Sequence, residues 1–223
     1  MSHRVLLQTI YRRLYSYFGP QSWWPATSPF EVIVGAILTQ NTNWSNVEKA
    51  IRVLKKEKLL SFARLSQSSE KVIAQAIRPS GYYRIKARRL KNVIAYMQRA
   101  YGGSLPAMRA QQTDSLRQEL CRVNGIGPET ADSILVYALQ KPSFVVDAYT
   151  RRVLERHGLI PAGIGYAQVQ NLFMKNLKID VQLFNEYHAL IVRLAKEFCT
   201  KRNPSCGCCP LQSLLPSKGV FGA

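Results

Sequence analysis

The sequence predicts an all-α protein on three observations. Helical apolar rhythms recur along the chain, glycines and prolines stop them, and no pair of alternating strands joined by a hairpin turn is found. At Ser28-Pro29-Phe30-Glu31 a capping box coincides with Pro at the first helical position, and Val32, Ile33, Val34, Ile37 and Leu38 follow. That helix is apolar nearly all round and is expected in the core. Val47, Ala50, Ile51 and Leu54 keep i, i+3, i+4, i+7 spacing with Lys and Arg on the other side, which predicts an amphipathic surface helix. Another helix ends at Ala76 and Ile77 before Pro79, and Ala87, Leu90, Val93, Ile94 and Met97 define the next, which Gly102 and Gly103 stop. Leu116 and Leu120 lead into a glycine-bearing turn, after which Ala131, Ile134, Leu135 and Ala138 line one helix face. Later helices carry Val153 and Leu154, then Val169, Leu172 and Phe173, then Tyr187, Leu190, Ile191, Leu194 and Phe198.

A chain of 223 residues with 47% hydrophobic content has room for one large domain or two small ones sharing a cleft. Its 31 Lys and Arg against 13 Asp and Glu leave a net charge of +18, stored self-repulsion that a polyanion relieves. Nucleic acid leads as partner, ahead of a merely basic protein or one seated on an anionic membrane. No apolar run of about 18 residues occurs, and the first residues mix Arg with apolar side chains too evenly for a secretory signal. An intracellular protein of the cytoplasm or nucleoid, not bound to membrane and monomeric, is expected. Cys199, Cys206, Cys208 and Cys209 crowd near the C-terminus, which in a reducing compartment suggests metal or cluster ligation more than disulfides.

The segment Cys121 to Leu139 places Gly125 and Gly127 around Ile126, between two helical patterns. The glycines permit backbone conformations closed to other residues and clear the approach of a ligand. With Pro128 opening the following helix, the free amides form a helix-terminus anion site suited to a DNA phosphate. About twenty residues on, an apolar run ends at Asp147 and a basic helix begins, so Asp147 is in position to cap that helix.

The pattern Gly-Ile-Gly-x-x-Thr-Ala, from Gly125 through Ala131, resembles the helix-hairpin-helix motif of the endonuclease III family of DNA glycosylases. The resemblance implies a two-lobed helical fold: a central domain over 26–139, and a second made of 1–25 plus 140–223. It implies double-stranded DNA containing damaged bases as partner, bound through Gly125, Ile126, Gly127 and Thr130, with Asp147 as catalytic carboxylate. An Asp at a helix N-terminus is kept ionised by the dipole. Hydrolysis of an N-glycosidic bond builds positive charge on the deoxyribose, which such a carboxylate stabilises while orienting the attacking water. The family's lyase members carry a Lys two residues after the second hairpin glycine, where this chain has Glu129. A carboxylate cannot form the imine of lyase chemistry, so AP-lyase activity is not expected.

The segment Trp23 to Trp44 resembles the start of bacterial 3-methyladenine glycosylases of the same superfamily, in which Gly-Ile-Gly-x-Glu also recurs. That resemblance implies an aromatic base pocket with Trp24 and Trp44, Trp23 and Pro25 beside them, and Glu129. An alkylated purine carries positive charge, so stacking on indole adds a cation–π contribution, and such a base leaves with little acid catalysis. The base is flipped out of the duplex, and the hole is filled by a wedge, with Gln40 and Tyr82 at the matching positions. Arg84, Lys86 and Arg88 read as phosphate contacts. His188 matches a family histidine expected to pack and hydrogen-bond.

Family members commonly end in Cys-x6-Cys-x2-Cys-x5-Cys around a four-iron four-sulfur cluster. Cys199, Cys206 and Cys209 match three positions, but the fourth is Leu215, so a cluster with Cys208 as substitute ligand, zinc on ligand type, and an empty loop all stay open. The sequence thus predicts a monofunctional base excision repair glycosylase for alkylated purines. The alternatives are an endonuclease III-like enzyme for oxidised pyrimidines or mismatched bases, a non-enzymatic helix-hairpin-helix DNA-binding protein, and an RNA-associated basic protein.

Overall fold

A computed structural model describes residues 2–215, and among them every regular element is helical. The chain divides into two compact units, Trp24–Lys141, and the stretch up to Trp23 together with the chain from Pro142 onward. In chain order the α-helices are α1 (His3–Phe18), α2 (Pro29–Leu38), α3 (Trp44–Lys56), α4 (Phe62–Gln67), α5 (Glu70–Ala76), α6 (Tyr83–Tyr101), α7 (Leu105–Ala110), α8 (Thr113–Arg122), α9 (Pro128–Ser133), α10 (Ala148–Arg156), α11 (Tyr166–Asn176) and α12 (Val181–Glu197).

The unit from Trp24 is built around α2, whose residues from Phe30 to Leu38 are all buried. Burying each large aliphatic side chain contributes about 1.5–3 kcal/mol, enough to fix this helix as the unit's axis. Its start departs from the expected capping box. Ser28 Oγ accepts from the Glu31 amide at 3.1 Å, but Glu31 reaches past Ser28 to the amide and hydroxyl of Thr27. The reciprocal arm is one residue displaced, because Lys55 of α3 also holds Glu31, at 2.8 Å.

The two hairpin helices, α8 and α9, are tied by Arg117, which donates twice to the fully buried Asp132, at 2.7 and 2.9 Å. Between them Gly125 has φ +90°, and a Cβ there would lie 2.3 Å from Cγ of Arg89, so only glycine fits. Gly127 differs from expectation. Its φ of −90° and ψ of 176° are open to any residue, and nothing lies within 4 Å of where a Cβ would stand. The cleared approach holds at Gly127, and the need for a special conformation does not. Past Ser133 the helix widens into a π-turn over Ile134–Ala138, where the Leu139 amide donates to Ile134 O at 3.1 Å, and all five turn residues are buried rather than one face of them.

The other unit packs α12 against α1 and α10, and α11 against α1. Phe144, Phe173, Phe184 and Tyr187 form its aromatic centre, and the buried Tyr187 hydroxyl donates to Leu7 O at 2.8 Å.

Lys86 is corrected by the structure. Expected on a phosphate-binding face, it is 1% exposed and donates to Leu38 O at 2.8 Å and Ser80 O at 2.7 Å, tying the C-terminus of α2 to the turn before α6. No phosphate can reach it. Burial, with Arg89 as the lesser cause, lowers its pKa from 10.5 to about 8. Because the folded-state pKa lies below the unfolded one, the unfolded chain binds more protons between these values, and stability rises with pH across that window. In urea unfolding at pH values between about 8 and 10.5, the stability of the wild type relative to Lys86→Met is expected to grow with pH. A flat difference would mean that Lys86 keeps its proton in the folded state.

Candidate active site

Asp147 sits where the extended stretch after Pro142 enters α10. Phe144, Val145 and Val146 are buried, and with no strand beside them their backbone groups are met by side chains of α11. Gln170 donates to Phe144 O at 2.8 Å, and the Val146 amide donates to the Tyr166 hydroxyl at 3.3 Å. The chain is therefore gripped up to the residue before Asp147. Asp147 caps α10, its Oδ1 accepting from the Thr150 amide at 2.7 Å. Its Oδ2 faces His188 Nε2 of α12 at 3.4 Å, and its side chain is 15% exposed. Burial pushes this carboxyl up, but His188 and the Thr150 bonds outweigh it and hold it below the usual carboxylate range. The carboxylate is thus charged and keeps an opening to solvent. Pairing with Asp147 is a role for His188 that the sequence did not disclose.

In the other unit, Trp24, Pro25 and Trp44 line one cavity of about 270 Å³ with Gly35 and charged residues of α2 and α3. The Trp24 indole lies on α2 at Gly35, where a Cβ would be 3.2 Å from it, and Tyr137 of the π-turn backs it at 5.2 Å. Trp44 meets Trp24 edge to face, with centroids 5.1 Å apart and planes at 85°. In the structure the edge of one indole thus lies against the other rather than parallel to it. Trp44 Nε1 donates to Glu48 Oε1 at 2.9 Å. Tyr137 and Glu48 are additions to the expected set. Glu48 was findable, since i, i+4 spacing puts it one turn from Trp44. Trp23 lines a different cavity, in the first unit, with Tyr11, Tyr15 and Glu186. Glu129 is exposed in the first turn of α9 and is not among the residues lining the Trp24 cavity.

Gln40 is half-buried. Its amide nitrogen donates to Gly125 O at 3.1 Å and Thr130 Oγ1 at 2.9 Å, and its oxygen accepts from Arg89. In this structure it braces the hairpin. Tyr82 is the more available of the two expected wedges: it is 67% exposed on a left-handed backbone at φ 46°. Arg84 and Arg88 are exposed on α6, where Arg88 makes a 3.6 Å ion pair with Glu70.

Near the C-terminus Cys199, Cys206 and Cys209 line one small cavity with Arg156, His157, Phe198 and Leu215. Arg156 donates to Cys199 Sγ at 3.4 Å, and the Leu211 amide donates to Cys209 Sγ at 3.4 Å, contacts that suit sulfur carrying negative charge. Cys208 is exposed and turns to Ser205 O. Three cysteines face one cavity and Leu215 stands at the fourth family position; burial pushes the Cys209 thiol up. Among the described residues no three His, Cys, Asp or Glu side chains converge to hold a metal ion, so the geometry favours neither the cluster nor zinc.

Residues 34–178 match the family model described as the HhH-GPD superfamily base excision DNA repair protein. The chain is 46% identical over 96% of its length to a Methanocaldococcus jannaschii protein provisionally named a DNA repair glycosylase, 97% of which is covered. It is 29% identical to endonuclease III of Thermotoga maritima, over 84% of this chain and 82% of that one. The structure is similar to that of H. pylori 3-methyladenine DNA glycosylase bound to 1,N6-ethenoadenine, with a TM-score of 0.75 and 26% identity over 88% of this chain and 98% of that one. A trapped endonuclease III–DNA covalent intermediate shares the fold, with a TM-score of 0.81 and 23% identity over 96% of each chain. No described helix is long and apolar enough to cross a membrane. With the family model spanning more than half the chain and a relative this similar along nearly its whole length, the chain belongs to the HhH-GPD superfamily and is a DNA glycosylase of base excision repair.

Proposed function

We propose that this glycosylase is monofunctional and releases alkylated purines, with Asp147 as its catalytic carboxylate. The observation that carries the reading is the cavity of Trp24, Pro25 and Trp44, two indoles and a proline at the positions matching the 3-methyladenine glycosylases. A methylated purine is electron-poor, and indole faces attract it by stacking and by cation–π interaction. Its cationic ring also leaves readily, so a site with a charged carboxylate suffices. Asp147, held ionised, stabilises the positive charge developing on the deoxyribose and orients the water that attacks its anomeric carbon. His188 holds that carboxylate from the side away from Thr150 and is a positioning residue.

The lysines support the absence of lyase chemistry. Glu129 occupies the first turn of α9 where an imine-forming amine would stand. Lys86 is buried on two carbonyls, and Lys141, 9% exposed, gives its ammonium to Gln111 O. The hairpin amides around Gly127, with Arg84 and Arg88, serve the DNA backbone, and Tyr82 serves as wedge.

Incubation with alkylated duplex DNA is expected to release 3-methyladenine or 7-methylguanine, with strand nicks only after alkali. Asp147→Asn keeps an N-cap, because Asn caps as well as Asp, so it should fold and bind DNA while base release falls about a hundredfold or more. Nicking without alkali, or release of oxidised pyrimidines alone, would replace this reading with an endonuclease III-like one.

His188→Gln removes the partner that opposes the effect of burial on Asp147. The Asp147 pKa should rise, and the acid limb of the single-turnover rate should move to higher pH. An unmoved limb would show that His188 does not set the charge of Asp147.

We further infer that Cys199, Cys206 and Cys209 hold an iron–sulfur cluster, which orders the terminal loop and supplies no chemistry to base release. Iron and acid-labile sulfide should co-purify with the full chain under anaerobic conditions. Cys206→Ser should lose them and Cys208→Ser should keep them, and a metal-free wild type would refute the assignment.

A further inference from the structure

The Trp24 cavity has a charge pattern that stacking does not use. Four ionisable side chains line it: Glu31, Glu48, Arg52 and Lys55. Glu31 and Lys55 neutralise each other at 2.8 Å, and the Glu31 carboxylate is further occupied by both Thr27 donors. Arg52 lies one helical turn beyond Glu48, farther along α3 from Trp44. Of these four, Glu48 is the one that hydrogen-bonds an indole. Its Oε1 accepts from Trp44 Nε1 at 2.9 Å, which fixes the carboxylate against the rings. An anion bound to the indole N–H also makes the π face more negative, which strengthens its attraction for a cation.

We propose that Glu48 is a specificity-determining residue, by which this pocket prefers purines carrying a fixed positive charge, such as N7-methylguanine, over neutral modified purines. The inference rests on the alkylpurine reading above. A neutral adduct gains the stacking on Trp24 and Trp44 alone. A cationic one gains in addition the field of a carboxylate held beside the same rings, at an exposed surface position where one charge is worth on the order of a tenfold effect.

The test uses the full chain and two duplexes, one bearing N7-methylguanine and the other 1,N6-ethenoadenine, with single-turnover release measured for both. The readout is the ratio of the two rates. Glu48→Gln keeps a hydrogen-bond acceptor for Trp44 and removes the charge, so the ratio of cationic to neutral release should fall about tenfold. Glu48→Asp keeps the charge and should hold the ratio within about threefold of wild type. If Glu48→Gln leaves the ratio unchanged while wild type releases both bases, Glu48 does not discriminate charge and this inference is overturned with the alkylpurine reading intact. If Glu48→Asp loses as much as Glu48→Gln, shape rather than charge is at work, which also overturns it. A wild type that releases neither base removes the alkylpurine reading and this inference with it.

Discussion

A charged carboxylate held in a mostly buried place is the constraint on which one whole unit depends. Taking Asp147 out of water favours its neutral form, and only donors fixed by other elements reverse that. The α10 terminus supplies the Thr150 amide and the favourable end of its dipole, and α12 supplies His188. Neither would aim correctly if the chain before Asp147 could slide. The stretch from Ser143 to Val146 cannot, since Phe144 is stacked on Phe173 with centroids 3.7 Å apart and its carbonyl is held by Gln170. The aromatic centre of this unit thus has a second use besides burial: it keeps the Asp147 carboxylate in place.

The unit from Trp24 meets a different constraint, that of holding the loop between α8 and α9 in one shape. A Gly125 at positive φ saves space that Arg89 then fills, and Arg89 in turn orients Gln40, whose amide bridges Gly125 and Thr130. Beneath them the Arg117–Asp132 pair joins α8 to α9. Removing Arg117 would take a cation from the fully buried Asp132, so the hairpin rests on this polar contact together with the buried Leu116, Leu120, Ile126 and Ala131. The π-turn continues the same helix and puts Tyr137 behind Trp24, so the hairpin and the aromatic cavity are built on one continuous run of chain.

Much of this was legible in the sequence. Ser28, Pro29 and Asp147 announce helix starts because capping is local chemistry, and the apolar rhythms gave the long helices, α3, α6 and α12, in place. What escaped depends on partners distant along the chain. Lys86 stands among basic residues, yet Leu90, Val93 and Met97 follow it at helical spacing, so its place on the buried face could have been read; its carbonyl partners could not. His188 shares the buried face of α12 with Phe184 and Ile191, but nothing local joins it to a residue 41 positions earlier. The π-turn is invisible because Ile134 to Ala138 are apolar throughout and satisfy either helical period. Tyr166 and Gln170, which grip the chain before Asp147, lie where the family resemblance was weakest.

The edge-to-face contact of Trp24 and Trp44 bears on how the cavity works. Two indoles at 85° stabilise each other in the absence of any base. Trp24 is held by Gly35 beneath it and Tyr137 behind it, whereas Trp44 stands at the first position of α3 with its N–H bound to Glu48, a side chain on the same helix. The place of Trp24 is thus set by elements distant along the chain, while the hydrogen bond of Trp44 is local to α3, so the lining of this cavity combines a wall built by tertiary packing with one built by helical spacing.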